Sequence, residues 1–237
     1  MAVPFAAAPS NCQNCPYLNQ SLLETCQQEE LELISTSKIS QCYKKGQPVF
    51  QDGSRLPGLY CIHQGKVKIS RVSGDGKEQI VRLAREGDAL GYRSLMVGHT
   101  ATTSAVALSD CVVCMIPRTD FFSVIEQNSQ FSSALTRLLA KDLGNMEERM
   151  MHAAYKPVRG RLAEALLLLH ELFRPATEMR FSIPITREDL AALTGTAKET
   201  ASRLLSEFRE EGLVYTRGSR ITILNEEKLM GVSSLYG

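Results

Sequence analysis

Two helix starts at Thr186 and Thr196, about three helical turns apart, restrict how the C-terminal third of this chain can fold. Thr186-Arg187-Glu188-Asp189 and Thr196-Ala197-Lys198-Glu199 each offer a capping hydroxyl followed three residues later by a carboxylate, and Gly195 lies in the turn between them. In the second segment Ala197, Ala201, Leu204, Leu205 and Phe208 share one helical face, and Lys198, Glu199, Ser202, Arg203 and Ser206 share the other. Gly212 suits a left-handed stop. Beyond it, Val214-Tyr215-Thr216 and Ile221-Thr222-Ile223 read as strands joined by Arg217-Gly218-Ser219-Arg220. The pattern predicts a helix-turn-helix followed by a two-stranded wing.

The polar face of the second helix has the chemistry of a major-groove reader. Arg203 can donate a bidentate pair to guanine, Glu199 can accept from a cytosine amino group, and Ser202 is small enough to approach a thymine methyl. Thr186, Thr196, Arg217 and Arg220 stand where they can reach phosphates. A plainer reading stays open for two of these residues: Glu199 as a capping carboxylate only, and Arg203 as a surface partner of Glu207.

A length of 237 residues leaves room for two domains, and 43% hydrophobic residues is ordinary for a globular chain. With 27 basic and 26 acidic residues the net charge is +1, so any nucleic-acid surface must be a local patch. Leu166-Leu167-Leu168-Leu169, bracketed by Glu164 and Glu171, is far short of a membrane span. The alanine-rich start lacks a basic region and a long apolar segment. The expectation is a cytoplasmic protein without a membrane partner.

Upstream, residues 42–116 carry short strand signals punctuated by glycine. Val67 and Ile69 alternate with Lys66, Lys68 and Ser70, and Ser73-Gly74-Asp75-Gly76 reads as a hairpin turn. A compact antiparallel barrel or roll is expected. From about Asp120 to Ala154 the signal becomes one long helix, with an apolar stripe through Phe131, Leu135, Leu138, Leu139, Leu143, Met146 and Met150 and with Asp142 at its margin. Part of the stripe packs on the roll; Leu135, Leu139, Leu143, Met146 and Met150 are the expected seam of a two-fold dimer, which would present two heads to two half-sites. Lys156-Pro157 ends the helix. The fold class expected is α+β, divided into a cysteine-containing segment (1–30), a β-roll domain (31–119), a dimerisation helix (120–155) and a winged helix-turn-helix (156–237).

In this order of parts the chain resembles the CRP/FNR superfamily of bacterial transcription regulators. The resemblance rests on Lys44-Lys45-Gly46-Gln47-Pro48-Val49-Phe50, Gly65-Lys66-Val67-Lys68, Glu86-Gly87-Asp88-Ala89-Leu90-Gly91, Val113-Cys114-Met115-Ile116-Pro117, Arg187-Glu188-Asp189-Leu190 and Glu199-Thr200-Ala201-Ser202-Arg203-Leu204-Leu205. It covers roughly residues 25–225. It implies a cyclic-nucleotide-binding-like roll, a homodimer, and double-stranded DNA and RNA polymerase as partners. It also implies base-reading positions at Lys198, Glu199, Ser202 and Arg203. Glu, Ser and Arg in this arrangement are similar to the oxygen-responsive branch, which reads a palindrome of TTGAT-like half-sites; the cyclic-AMP branch has glycine where Ser202 stands. Cyclic-nucleotide binders of the family carry a ribose-binding glutamate and a phosphate-binding arginine where this chain has Gly91-Tyr92-Arg93-Ser94 and Thr102-Thr103-Ser104-Ala105, so a cyclic nucleotide is disfavoured.

Seven cysteines are too many to ignore and an odd number for a disulfide framework. Oxygen sensors of the family hold a [4Fe-4S] cluster with N-terminal cysteines and one in a Cys-X-Ile-Pro strand. The matching residues are Cys12, Cys15, Cys26 and Cys114, although Cys26 follows the pair at a longer spacing than in the family. Zinc, a redox dithiol or simple packing remain open for these thiols, with a small-molecule effector in the roll as the alternative input; Cys61 and Cys111 read as packing residues and Cys42 as a core or surface residue. An enzyme is not expected. The Cys12–Cys15 pair lacks the strand-helix context of a thiol oxidoreductase, and His63, His99, His152 and His170 show no metal-ligand spacing.

Overall fold

The computed structural model describes residues 9–98, 100–175 and 181–234; His99 and the alanine-rich start lie outside the described residues. Three short 3-10 turns, Cys12–Asn14, Leu18–Gln20 and Leu22–Thr25, lead into α1 (Gln28–Ser37). Strands β1 (Ile39–Tyr43), β2 (Pro48–Phe50), β3 (Gly58–Gln64), β4 (Val67–Val72), β5 (Glu78–Ala84) and β6 (Ala89–Leu90) follow, then α2 (Tyr92–Val97), β7 (Ser104–Ala107) and β8 (Cys111–Pro117). The chain continues through α3 (Arg118–Gln127), α4 (Ser129–Tyr155), α5 (Val158–Phe173), β9 (Ile183–Pro184), α6 (Arg187–Thr194), α7 (Lys198–Glu210), β10 (Val214–Arg217), β11 (Arg220–Ile223) and α8 (Glu226–Ser234). It divides into two compact units, Met1–Arg71 with Val81–Gly144, and Val72–Ile80 with Asn145–Gly237.

The β-roll consists of two four-stranded sheets in the orders β1-β8-β3-β6 and β2-β7-β4-β5. Leu59, Ile62, Val67, Leu90 and Ile116 are buried in its core. The hairpin turn expected at residues 73–76 is present: Gly76 N–H donates to the Ser73 carbonyl at 2.9 Å, and Gly76 takes a φ of 81°. The alternation expected around Val67 is not observed, since Lys68 and Ser70 are buried as well. Strand β4 is an interior strand between β7 and β5, and both its faces are covered.

The single helix expected from Asp120 to Ala154 is two helices. Asn128 interrupts it with extended backbone (φ −116°, ψ 100°). Its Oδ1 accepts from the Gln130 and Phe131 N–H groups at 3.0 Å each, the work of an N-cap. Its Nδ2 donates to the Thr25 carbonyl at 2.9 Å and to Glu30 Oε2 at 2.7 Å. A domain division that treats 120–155 as one helix therefore misses this joint.

The apolar stripe also divides. Phe131 and Leu135, at 1% and 2% exposure, belong to the core of the roll, and Leu138 and Leu139 pack against that core. Leu135 is thus removed from the expected seam, because its own domain has already desolvated it. Leu143, Met146 and Met150 are exposed, at 60%, 46% and 67%.

In the C-terminal unit α4 ends at Tyr155, and Pro157 caps α5. Leu162, Leu166 and Leu169 bury one face of α5, and buried Leu229 anchors α8. The small sheet β10-β11-β9 completes the winged helix-turn-helix. Among the described residues, no helix is long and apolar enough to cross a membrane.

Candidate functional site

The reading head is built on α6 and α7. Thr186 caps α6: its Oγ1 accepts from Asp189 N–H at 3.0 Å and donates to Asp189 Oδ2 at 2.8 Å. Gly195 ends the helix in the left-handed region (φ 70°). The cap expected from Thr196 is not formed; Ala197 takes the N-cap position of α7 without a side-chain bond. The turn runs one residue further than expected, with Thr196 N–H donating to the Ala191 carbonyl at 3.1 Å. Ala197 is accordingly exposed rather than packed.

Ala201, Leu204, Leu205 and Phe208 bury one face of α7. Arg159 of α5 stacks over the Phe208 ring at 4.7 Å and donates to Glu207 at 3.3 Å and Glu211 at 2.7 Å. These contacts fix the helix so that Lys198, Glu199 and Arg203 face solvent, with Ser202 half-buried beside them. Two of the residues expected to read bases are ion-paired within the head: Lys198 with Glu188 of α6, and Arg203 with Glu207 one turn on. In the wing, Arg217 and Arg220 are exposed and directly opposite each other across the β10–β11 turn. Arg187 holds that turn by donating from Nη2 to the Gly218 carbonyl at 3.2 Å.

In the roll, Gly91 (φ 85°) starts α2 and delivers Tyr92 into the interior, 2% exposed. Arg82 Nη1 donates to the Tyr92 hydroxyl at 2.7 Å, and that hydroxyl donates in turn to the Asp142 carboxylate of α4. Burial and the neighbouring Asp142 carboxylate hold the Tyr92 phenol well above its ordinary range, so it stays a neutral donor. Asp142, expected at the margin of a dimer seam, faces its own roll. Arg93 is exposed.

A second site lies where the N-terminal segment covers the roll. Cys12, Cys15, Cys61 and Cys114 line one partly open cleft together with Tyr17, Lys38 and His63. Lys38 Nζ donates to Cys12 Sγ at 3.3 Å, His63 Nδ1 lies 3.7 Å from Cys15 Sγ, and Ser40 Oγ lies 3.4 Å from Cys114 Sγ. Burial raises the Cys61 and Cys114 thiols above their ordinary range, and burial together with Lys38 lowers His63.

Three of the four expected thiol ligands, Cys12, Cys15 and Cys114, line this cleft. Cys26 does not; it is half-buried against the core of the roll, its thiol pushed by burial up to about 12. Cys61 and His63, both missed from sequence, do line it, because β3 lies beside β8. The strand alternation that puts Cys61 and His63 together was readable; the register that sets Cys61 against Cys114 was not. Cys42 is exposed, and Cys111 is buried with its Sγ bonded to the Lys66 and Ser109 carbonyls. Among the described residues, no three Cys, His, Asp or Glu side chains gather closely enough for a single metal ion.

Residues 40–128 match the family model for a cyclic nucleotide-binding domain, and residues 160–232 match that for a Crp-like helix-turn-helix domain. The chain is 28% identical over 228 residues to the fumarate and nitrate reduction regulatory protein of Vibrio cholerae, an alignment covering 95% of this chain and 91% of that one. The protein of the same name from Escherichia coli K12 is 28% identical over 222 residues, covering 92% and 88%. Among solved structures, a putative transcriptional regulator of the crp/fnr family from Eubacterium rectale superposes with a TM-score of 0.75 at 21% identity, covering 90% of this chain and 97% of that one. FixK2 from Bradyrhizobium japonicum superposes with a TM-score of 0.73 at 22% identity, covering 84% and 99%. With a cyclic-nucleotide-binding-type roll and a Crp-like reading head in one chain, this protein belongs to the CRP/FNR superfamily and is a DNA-binding transcription regulator, not an enzyme.

Proposed function

We propose that this regulator works as a homodimer on a palindrome of TTGAT-like half-sites, with RNA polymerase as its further partner, and that a redox or oxygen signal enters at the thiol cleft. Lys198, Glu199, Ser202 and Arg203 read bases; Thr186, Thr196, Arg217 and Arg220 hold phosphates. Leu139, Leu143, Met146 and Met150 supply the dimer seam. The observation that carries the redox input is the convergence of Cys12 and Cys15, from the N-terminal segment, with Cys114, from β8, on one cleft. Relatives named for fumarate and nitrate reduction accord with it.

The donor set suits an iron–sulfur cluster. The cleft offers soft thiols and has no carboxylate among its lining residues. When bound, a [4Fe-4S] cluster supplies an oxygen-sensitive tie between thiolates. The chain does the rest. Lys38 holds the Cys12 sulfur in place by a hydrogen bond from its Nζ. Cys12 and Cys15 fix the N-terminal segment to the sheet that carries Cys114. That segment also holds the start of α4, through the Thr25 carbonyl and Asn128. Tying or releasing it therefore biases the helix whose apolar face a second copy must cover, a two-state arrangement.

The test is purification without oxygen, with visible absorbance, iron and acid-labile sulfide measured, followed by binding to a TTGAT-type palindrome before and after exposure to air. A brown protein that binds the site as a dimer and loses colour and affinity in air supports the proposal. A colourless, iron-free protein that binds equally in both conditions removes the cluster and keeps the regulator.

A further inference from the structure

Cys61 is the thiol that the sequence assigns to packing and that the fold brings to the cleft. In the antiparallel ladder of β3 and β8, Cys61 is directly opposite Cys114. Directly opposed residues project on the same side of a sheet, with Cβ atoms about 4.5–5.5 Å apart. Both side chains line the same cleft as Cys12 and Cys15.

Cys26 is not among the residues that line the cleft. Its N–H donates to the Leu23 carbonyl at 3.0 Å, and the preceding carbonyl, that of Thr25, accepts from Asn128 at 2.9 Å. Immediately after it, α1 begins with the Gln27 N–H donating to Glu30 Oε2. These bonds fix the backbone on either side of Cys26, whose side chain packs against the core of the roll, whereas the strand pair of β3 and β8 brings Cys61 to the cleft. Burial raises both thiols, so proton affinity does not separate them; placement does.

We propose that Cys61 is the fourth ligand of the thiol site, completing a set with Cys12, Cys15 and Cys114, and that Cys26 lies outside it. This rests on the reading that the cleft holds an iron–sulfur cluster. It gives the site a specific construction: two thiolates from adjacent strands of one sheet, two from the segment laid over it. Losing the group then detaches the segment and leaves the sheet intact.

The experiment is anaerobic loading of the full-length chain with ferrous iron and sulfide, comparing wild type, Cys61→Ala and Cys26→Ala for iron, sulfide and visible absorbance. Far-UV circular dichroism of the unloaded proteins checks folding. The expected result is wild-type loading for Cys26→Ala and at least a fivefold loss of iron for Cys61→Ala. Loss of iron from Cys26→Ala, or full loading of Cys61→Ala, overturns the assignment. A wild-type chain that takes up no iron overturns the cluster reading and the assignment with it. As a measurement independent of variant folding, alkylation of the wild-type chain followed by mass spectrometry should show Cys61 protected at least tenfold on loading and Cys26 unchanged; the reverse pattern rejects the proposal.

Discussion

Asn128 Nδ2 donates to Glu30 Oε2 at 2.7 Å, joining the break between α3 and α4 to the first turn of α1. The same carboxylate oxygen accepts the Gln27 N–H, and the same amide holds the Thr25 carbonyl, so one buried side chain ties the cysteine-bearing segment to the long helix.

Asn128→Ala removes a cap and takes a donor from two half-buried acceptors, the Thr25 carbonyl and Glu30 Oε2, of which the second keeps the Gln27 N–H. The expected cost is about 2 kcal/mol of stability, read as a lower denaturation midpoint. A midpoint equal to wild type would show that the joint carries no such role.

Tyr92 occupies the interior of the roll with its hydroxyl between Arg82 and Asp142. Tyr92→Phe should cost about 1–3 kcal/mol by leaving the Asp142 carboxylate short of a donor. Cyclic AMP should not raise the melting temperature of the wild-type chain. A saturable rise with nucleotide would mean that the network opens to admit it.

On the reading head, Arg203→Ala should weaken binding to the matched half-site by about 1–3 kcal/mol and relax the guanine preference. Arg217→Ala should weaken all sequences alike and reduce the salt slope by about 1. Equal losses on matched and random DNA for Arg203→Ala would misassign that residue.

His170 gives the C-terminal unit a pH dependence. Its Nδ1 accepts from Arg174 Nη2 at 3.3 Å and lies 3.8 Å from Glu226, and its ring stacks on Phe181 at 4.7 Å. Burial lowers its pKa below 6.5, Glu226 partly offsets this, and Arg174 adds to it. The folded state thus prefers neutral imidazole. The contribution is complete above the unfolded value of 6.5 and is lost as pH falls towards the lower folded value, where the unfolded chain binds the extra proton. Urea midpoints at about pH 7.5 and 5.5 should converge in His170→Phe relative to wild type; an unchanged difference would assign the effect elsewhere.

The reading head was the most legible part of the sequence, because hydroxyl caps, a left-handed glycine and a helical apolar face are local signals. Thr186, Gly195 and Phe208 stand as that logic requires. Thr196 departs by one position because turn length depends on packing between α6 and α7, which local pattern does not encode. The continuous stripe concealed the Asn128 break, whose cause is a long-range bond to Thr25 and Glu30. Cys61 was indistinguishable from a packing residue for the same reason: strand register, not spacing, sets it against Cys114.

The ion pairs Lys198–Glu188 and Arg203–Glu207 give the recognition surface an internal competitor for its own cations. A random duplex must draw these side chains off their carboxylates for phosphate contacts alone, while a matched half-site offers base edges in exchange. With a net charge of +1, the chain as a whole adds little attraction to compensate. On the proposed reading of α7, each of these exposed pairs tilts dwell time by a small amount towards sequences whose base edges replace Glu188 and Glu207.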